Sequence, residues 1–428
     1  MTSDTSAFVW VWLPRETTPV PAGKLTVEGP QILFNYGQSY LKRSNAIAIG
    51  DQELPLGAGF IPLAAGLTMP GCIRDGSPDA WGRRVIINRI ARHAGPDAQL
   101  DELTYLLESG SDRIGALDFQ RSATHYEARS AASVTLEELI ASADRVEHGV
   151  PLMPELDLAL HHGSAIGGAR PKALIDDSQK KYIAKFSSSS DVYNVIKAEF
   201  IAMRLAERAG LRVAPVKLVR ASYKDVLLVE RFDRELCEDG WQRRGLVSAL
   251  TLLGLDEMMA RYASYEALAE IIRHRFTHAA PTLEELYGRL CFNILCGNND
   301  DHARNHAAFW GGDLLSLTPA YDICPQARSG NISTQAMRIM GNDNRSQLAV
   351  CIDASAQFLL SRARASEIAE QITSAIVHGW QDVCATAQVN TTDRLLLANR
   401  QFLNSYAFEG LPDHSPLVSL AAQFKNSI

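Results

Sequence analysis

The apolar residues of this chain change their spacing near Phe232, and that change limits the folds it can adopt. Before it, strand-length runs rich in β-branched and aromatic residues recur between Gly and Pro punctuation. They are FVWVWL (8–13), KLTVEG, QILFNYG, KYIAKF (181–186), VAPVKLV and DVLLVERF. From about Gly245 the apolar residues recur at three and four spacing, as in 365–387 and 392–408, which is the period of a helix. Helices are also predicted in the first part. One runs over Asp79–Ala94, stopped by Gly95 and Pro96, and another over Leu100–Ser109. A third spans Asp191–Gly210, with Asp191 as N-cap and Gly210 as its stop. The pattern implies an α+β chain, strand-containing first and helical second, with a Ser/Ala-rich stretch around Ala131 where its style changes. At 428 residues it exceeds one small core, so two or three cooperating units are expected.

The formal net charge of −7 argues against sequence-independent nucleic-acid binding, which depends on neutralising phosphates. The start, MTSDTSAFVWVWLP, has no basic region and only a short apolar run, so no secretory leader is expected. No apolar stretch approaches the ~18 residues of a membrane span. The seven cysteines are scattered without a C-x-x-C pair, which fits a reducing cytoplasm rather than a disulfide framework or zinc knuckle.

The densest chemistry lies in GNNDDHARNHAAFW (297–310). Asp300 is followed five residues later by Asn305, and Asp322 closes the short apolar run LTPAYD. Phosphoryl transfer uses such a set: one carboxylate takes the proton of the attacking hydroxyl, while an amide oxygen and a second carboxylate hold Mg²⁺. Asp301 stands only four from Asn305, so Asp300 is assigned as the base and Asp301 as its neighbour. Asn-Asn-Asp-Asp is also a good turn, and LCFNILCG and AAFW on either side read as buried elements that would hold it.

A phosphate-holding cation is expected upstream. Lys185 sits within the apolar strand KYIAKF and must bring its charge to a partner. Before it lies GSAIGGARPKAL (163–174), whose small residues, Gly167 and Gly168 among them, let backbone N–H groups approach phosphates. After it, Glu199 in the Asp191–Gly210 helix is a candidate partner for Lys185. Glycine stretch, lysine strand, glutamate helix, strands, helical part, Asp-x4-Asn and a later Asp follow the order of parts in protein-kinase-like enzymes. GGARP by itself is as well read as a plain turn, and Lys185 by itself as a strand-edge lysine.

Several longer strings share one resemblance. DGSPDAWGRR (75–84), DRIGALDF (112–119), IGGARPKAL, LLVERFDR (227–234), GNNDDHARN and LTPAYD resemble the segments of HipA-like serine/threonine kinases, the toxin half of bacterial toxin–antitoxin pairs. The resemblance implies a protein-kinase-like two-lobe fold with an added N-terminal strand-rich subdomain (1–135), an N-lobe-like region (136–235) and an all-helical C-terminal lobe (236–428). It implies that Lys185, Gly167 and Gly168 meet the ATP phosphates, that Glu230 and Phe232 offer backbone groups to adenine, and that Asp233 lies near the ribose and His302 near the nucleotide. Asp300 would be the catalytic base, and Asn305 and Asp322 would hold Mg²⁺. The implied partners are a small helix-turn-helix antitoxin like HipB, DNA only through that antitoxin in a complex that represses its own promoter, and a cytoplasmic protein substrate such as an aminoacyl-tRNA synthetase. No membrane partner is implied.

Two positions depart from the family's pattern. Its autophosphorylated serine directly precedes I-x-G-x-x-x-K, where this chain has Ala165; Ser164, one residue earlier, is the autophosphorylation candidate, or else an ordinary turn residue. GLVSALTLLG lacks the Glu-Asp and Gln that the family often carries there. A small-molecule phosphotransferase on the same core and a non-catalytic co-repressor are the competing readings. Phe8, Trp10, Trp12 and Tyr40 read as core or sheet face, Trp81 as a packing anchor, and Arg83 and Arg84 as partner-facing. His161 and His162 flank the glycine stretch without a metal-ligand set. Residues 323–346 occupy the place of an activation segment.

Overall fold

The computed structural model describes the chain apart from residues 1–3, 51, 95–99, 130–134, 151–159, 161–162 and 329. The Gly95 and Pro96 stop, the Ala131 stretch, His161 and His162 lie outside the described residues. Contacts divide the chain into two units. The first comprises Met1–Ser190, Val219–Val247 and Phe309–Asp313, and the second Asp191–Leu218, Ser248–Ala308 and Leu314–Ile428.

The first unit opens with an antiparallel sheet of β1 (Ser6–Val11), β2 (Val20–Glu28), β3 (Gln31–Tyr36), β4 (Phe60–Ile61) and β5 (Leu117–Gln120), in the order β4-β3-β2-β1-β5. β1 lies between β2 and β5 and is mostly buried. Ala7, Val9 and Val11 join Leu25, Phe34, Tyr36, Tyr40 and Phe119 in one core, while Trp10 and Trp12 pack on Tyr126 with centroids 5.4 and 5.6 Å away. A second antiparallel group contains β6 (Lys172–Asp176) and β7 (Lys181–Phe186); the chain later passes through β8 (Val216–Ala221) into β9 (Lys224–Glu230), which pairs with β7. In β7 the period-2 rule sends Tyr182, Ala184 and Phe186 inward and leaves Lys181, Ile183 and Lys185 half-buried. Against this core lie helix α1 (Ala80–Ala94), through Trp81 and Val85, and helix α2 (Leu136–Glu147), through Leu139 and Ala143. α2 starts in a capping box between Thr135 and Glu138. The hairpin of β10 (Arg234–Cys237) and β11 (Gly240–Arg243) follows.

The second unit is mainly helical: α3 (Val195–Arg208), α4 (Tyr265–Arg275), α5 (Ala279–Cys296) and α6 (Arg362–Thr386). α3 begins at Asn194, whose side chain accepts from Lys197 N at 3.0 Å, rather than at Asp191; it stops as expected before Gly210, which takes a φ of 86°. Tyr287 of α5 packs edge-on to Phe358 at 5.3 Å, and Trp380 of α6 packs on Phe402 at 4.9 Å. The span 392–408 is not one helix. Thr391–Leu396 runs on into the wider turn Leu397–Gln401 and stops there; Leu403 is left-handed (φ 47°), and the Asn404 side chain caps a separate turn, Ser405–Phe408, at Tyr406 N, 3.0 Å away. Nor is the span after 236 all helical: besides the hairpin it contains strands at Gly245–Ser248, Ala307–Trp310 and Ser316–Leu317. Ala307–Trp310 is buried at all four positions, a short apolar run with no polar stripe to give it a helical face. No helix among the described residues is long and apolar enough to cross a membrane.

Candidate active site

α5 ends at Gly297, and the chain turns at once into the acidic loop. The two adjacent aspartates go opposite ways. Asp301 is buried, with Oδ1 3.0 Å from His306 Nε2, and it also accepts from the Tyr265 hydroxyl. Burial alone would raise its carboxyl; His306 and hydrogen bonds from Tyr265 and Asn293 reverse that and hold it below the ordinary value. Asp300 is exposed. Its carboxyl is pushed up, by desolvation first and then by the carboxylates of Asp322 and Asp301, with His302 pulling the other way. Asn305 Nδ2 donates to the Asp300 carbonyl at 3.2 Å, and Tyr321 beside Asp322 donates to the Arg304 carbonyl at 2.7 Å. Asp300, His302, Asn305 and Asp322 thus belong to one small neighbourhood, with Asp322 held at a left-handed φ of 58°. The expected activation segment is tied to this loop: Ala336 N donates to Asn299 O at 3.1 Å and Gln335 Nε2 to Asn298 O at 3.0 Å.

In the first unit, Lys185 of β7 stands directly opposite Lys172 of β6 and Leu227 of β9. Lys172 is buried, and its ammonium donates to the Gly167 carbonyl. Two lysines facing each other across strands repel unless anions lie near. Gly168, at a φ of 105°, gives the glycine stretch its turn. Ser164 is wholly buried, its hydroxyl accepting from Gly110 N at 3.2 Å, so a kinase could reach it only after this stretch had left its seat. Glu199 is wholly buried on α3, a place that carboxylates hold only with partners.

The hinge residues each have partners in the first unit. Glu230 pairs its side chain with Lys180 at 2.6 Å, and Phe232 packs edge-on to Phe309 with centroids 5.9 Å apart. Asp233, expected near a ribose, is buried. It accepts from Arg231 at 3.0 and 2.8 Å, from Arg234 at 2.8 Å and from Gly115 N at 2.8 Å. Arg231 and Arg234 also hold Asp112, so Asp233 ties the LLVERFDR strand to the DRIGALDF segment. Its hydrogen-bonding capacity is used in that tie.

Sequence reasoning missed the partners of Asp301, which lie on α4 and after the loop, and the placement of Lys172 opposite Lys185. The strand period alone could have given the latter once the β6–β7 register was known. As a metal site, Asn305 and Asp322 offer an amide oxygen and a carboxylate, the hard donors Mg²⁺ takes. No group of three or more His, Cys, Asp or Glu among the described residues could hold a metal, so an ion here would complete its shell with nucleotide oxygens and water.

Comparison with known proteins decides the family. The HipA-like C-terminal domain matches residues 164–380, and the HipA N-terminal domain matches residues 11–120. The chain belongs to the HipA-like kinase family. Over 158 residues this HipA-like chain is 28% identical to the serine/threonine-protein kinase toxin HipA of Shewanella oneidensis, a match covering 33% of the chain and 36% of that relative. It is 29% identical over 167 residues to Y4mE of Sinorhizobium fredii, covering 37% and 38%. The matched stretches thus span well under half the length of these curated relatives. In fold, the HipA-like chain resembles the S. oneidensis HipA solved with HipB and its operator DNA, with a TM-score of 0.69 and 17% identity over 95% of each chain.

Proposed function

We propose that this HipA-like chain is an ATP- and Mg²⁺-dependent serine/threonine protein kinase acting as a toxin, with Asp300 as its base. The observation that carries the reading is the division of labour between adjacent aspartates. Asp301 is consumed by Tyr265 and His306, while Asp300 stays exposed with its carboxyl raised beside Asp322. A carboxyl held above its ordinary value accepts a proton more readily. In the proposed step the Asp300 carboxylate takes the proton of a substrate serine or threonine hydroxyl. The hydroxyl oxygen bonds to the γ-phosphorus of ATP, and the bond to the bridging oxygen breaks to release ADP. Mg²⁺ would neutralise the phosphates, held by Asn305 and Asp322, while Lys185, Gly167, Gly168 and His302 position the nucleotide and backbone groups of Glu230 and Phe232 meet adenine.

On this reading residues 1–135, 136–235 and 236–428 are the added subdomain, the N-lobe-like region and the C-terminal lobe. The substrate is a cytoplasmic protein, an aminoacyl-tRNA synthetase being the candidate, whose modification stops translation. A HipB-like antitoxin binds the chain and carries it to operator DNA, in keeping with a net charge of −7 that favours no DNA contact of its own. The test is transfer of the labelled γ-phosphate of ATP, first to the chain itself and then to candidate proteins, by the wild type and Asp300→Ala. The variant is expected to lose transfer; full activity in it refutes the base assignment.

A further inference from the structure

The string DGSPDAWGRR has no part in the chemistry above, yet it meets the glycine stretch repeatedly. Gly168 N donates to Asp79 Oδ2 at 2.6 Å. Trp81 N donates to Gly168 O at 3.3 Å, and its indole donates to Lys172 O at 2.9 Å. A Cβ on Gly82 would run into Ser164 O, so the helix backbone and the glycine stretch approach without room between them. Trp81 and Gly82 are packing contacts. The Asp79 contact differs in kind, because it sets an anion on a backbone amide of the very turn that would take nucleotide phosphates. A Cβ on Gly167 would come within 2.8 Å of the same Oδ2, so the carboxylate lies over the Gly167–Gly168 turn and not beside it.

We infer that Asp79 is a positioning residue that occupies a phosphate-binding amide of the glycine stretch until the nucleotide displaces it. The inference rests on the kinase reading. Carboxylate and phosphate oxygens seek the same donors, backbone N–H groups at turns and helix starts. Asp79 cannot drift away, because its own carbonyl accepts from Arg83 N at 2.8 Å in the first turn of α1, and Trp81 and Gly82 fix that turn against the stretch. On the other side, Lys172 gives its ammonium to the Gly167 carbonyl. The stretch is therefore satisfied from within: a side-chain anion on its amide and a side-chain cation on its carbonyl. An incoming triphosphate must break the first contact and sit beside a carboxylate, so Asp79 sets how tightly the nucleotide binds.

The test titrates a fluorescent ATP analogue with Mg²⁺ into the full chain and its Asp79→Asn and Lys185→Met variants. Asparagine keeps an oxygen on the Gly168 amide and removes the charge. The Asp79→Asn variant is expected to bind the analogue about threefold to tenfold more tightly, with an unchanged melting temperature. Binding equal to or weaker than wild type overturns the inference and leaves the kinase reading standing. No binding by the wild type, or wild-type binding by Lys185→Met, overturns the kinase reading itself. A measurement without variants guards against a misfolded Asp79→Asn. Hydrogen exchange in wild type without nucleotide is expected to show the Gly168 amide protected, and fast exchange there overturns the inference.

Discussion

His306 Nε2 lies 3.0 Å from Asp301 Oδ1, and both side chains are buried beneath the loop that carries Asp300. With the Tyr265 hydroxyl on the same carboxylate, the pair fastens the loop to α4 on one side and to the strand Ala307–Trp310 on the other. A charge placed next to the candidate base therefore serves to fix where that base stands. Buried ion pairs act in this way, adding little net stability while intact and costing much when half of the pair is removed.

Asp300 and Asp301 should accordingly fail differently. Asp301→Ala strands His306 and Tyr265 without their acceptor and should cost about 3–5 kcal/mol of stability. Asp300→Ala should change stability by less than about 0.5 kcal/mol and lower phosphate transfer by about 10²- to 10⁴-fold. Urea unfolding and labelled-phosphate transfer on both variants separate these outcomes; a soft unfolding curve for Asp300→Ala would count against its exposed, chemical role.

Spacing, a one-dimensional property, singled out Asp300 as the candidate base: it is five residues from Asn305 and Asp301 is four. The strand KYIAKF, which carries the candidate Lys185, was legible in the same way, since β7 alternates cleanly. What holds these residues was not. Asp301 depends on Tyr265, Asp233 on Gly115 and Arg234, and Gly168 on Asp79, all contacts between distant parts of the chain that no local pattern encodes. The FDR string suits an open ribose ligand and a buried tie alike, and the sequence did not show that both neighbouring arginines fold inward onto Asp233. The missed helix start is a smaller instance, in which Asp191 and Asn194 are both good caps and α3 starts at the second.

Stability in acid should follow the buried carboxylates of the first unit. Burial alone would raise Asp112, Asp118 and Asp233; Arg231 and Arg234 beside the first and third, and Arg113 and Arg129 beside the second, hold all three below the ordinary value. Their contribution is thus fully present above the unfolded value of about 3.9 and is lost as pH falls through the lower folded values. The urea midpoint is expected to drop steeply below about pH 4, and less steeply in Asp118→Asn, which is already destabilised at neutral pH. A midpoint flat from neutral to about pH 3 would contradict the pairing.

Gly82→Ala tests the seat of the glycine stretch. Its Cβ would meet the Ser164 carbonyl, a backbone atom that cannot swing aside, so the stretch must shift. An overpacking cost of about 1–3 kcal/mol is expected, together with faster hydrogen exchange across residues 163–172. Arg84→Ala, two residues on and exposed, should stay within about 0.5 kcal/mol of wild type.

Asp322 allows its backbone role and its chemical role to be told apart. Its φ of 58° lies where Asp and Asn are tolerated and branched side chains are not. Asp322→Asn therefore keeps the turn and removes only the charge that would hold Mg²⁺ and that raises Asp300. It should unfold like the wild type yet lose phosphate transfer, or regain part of it only at much higher Mg²⁺. Asp322→Val removes the same charge and adds about 1–2 kcal/mol of backbone strain. If both variants are equally inactive but only the valine variant is destabilised, the carboxylate works in chemistry and the left-handed turn merely aims it. Equal destabilisation of the asparagine variant would instead make that carboxylate a structural partner, and Mg²⁺ would need another ligand.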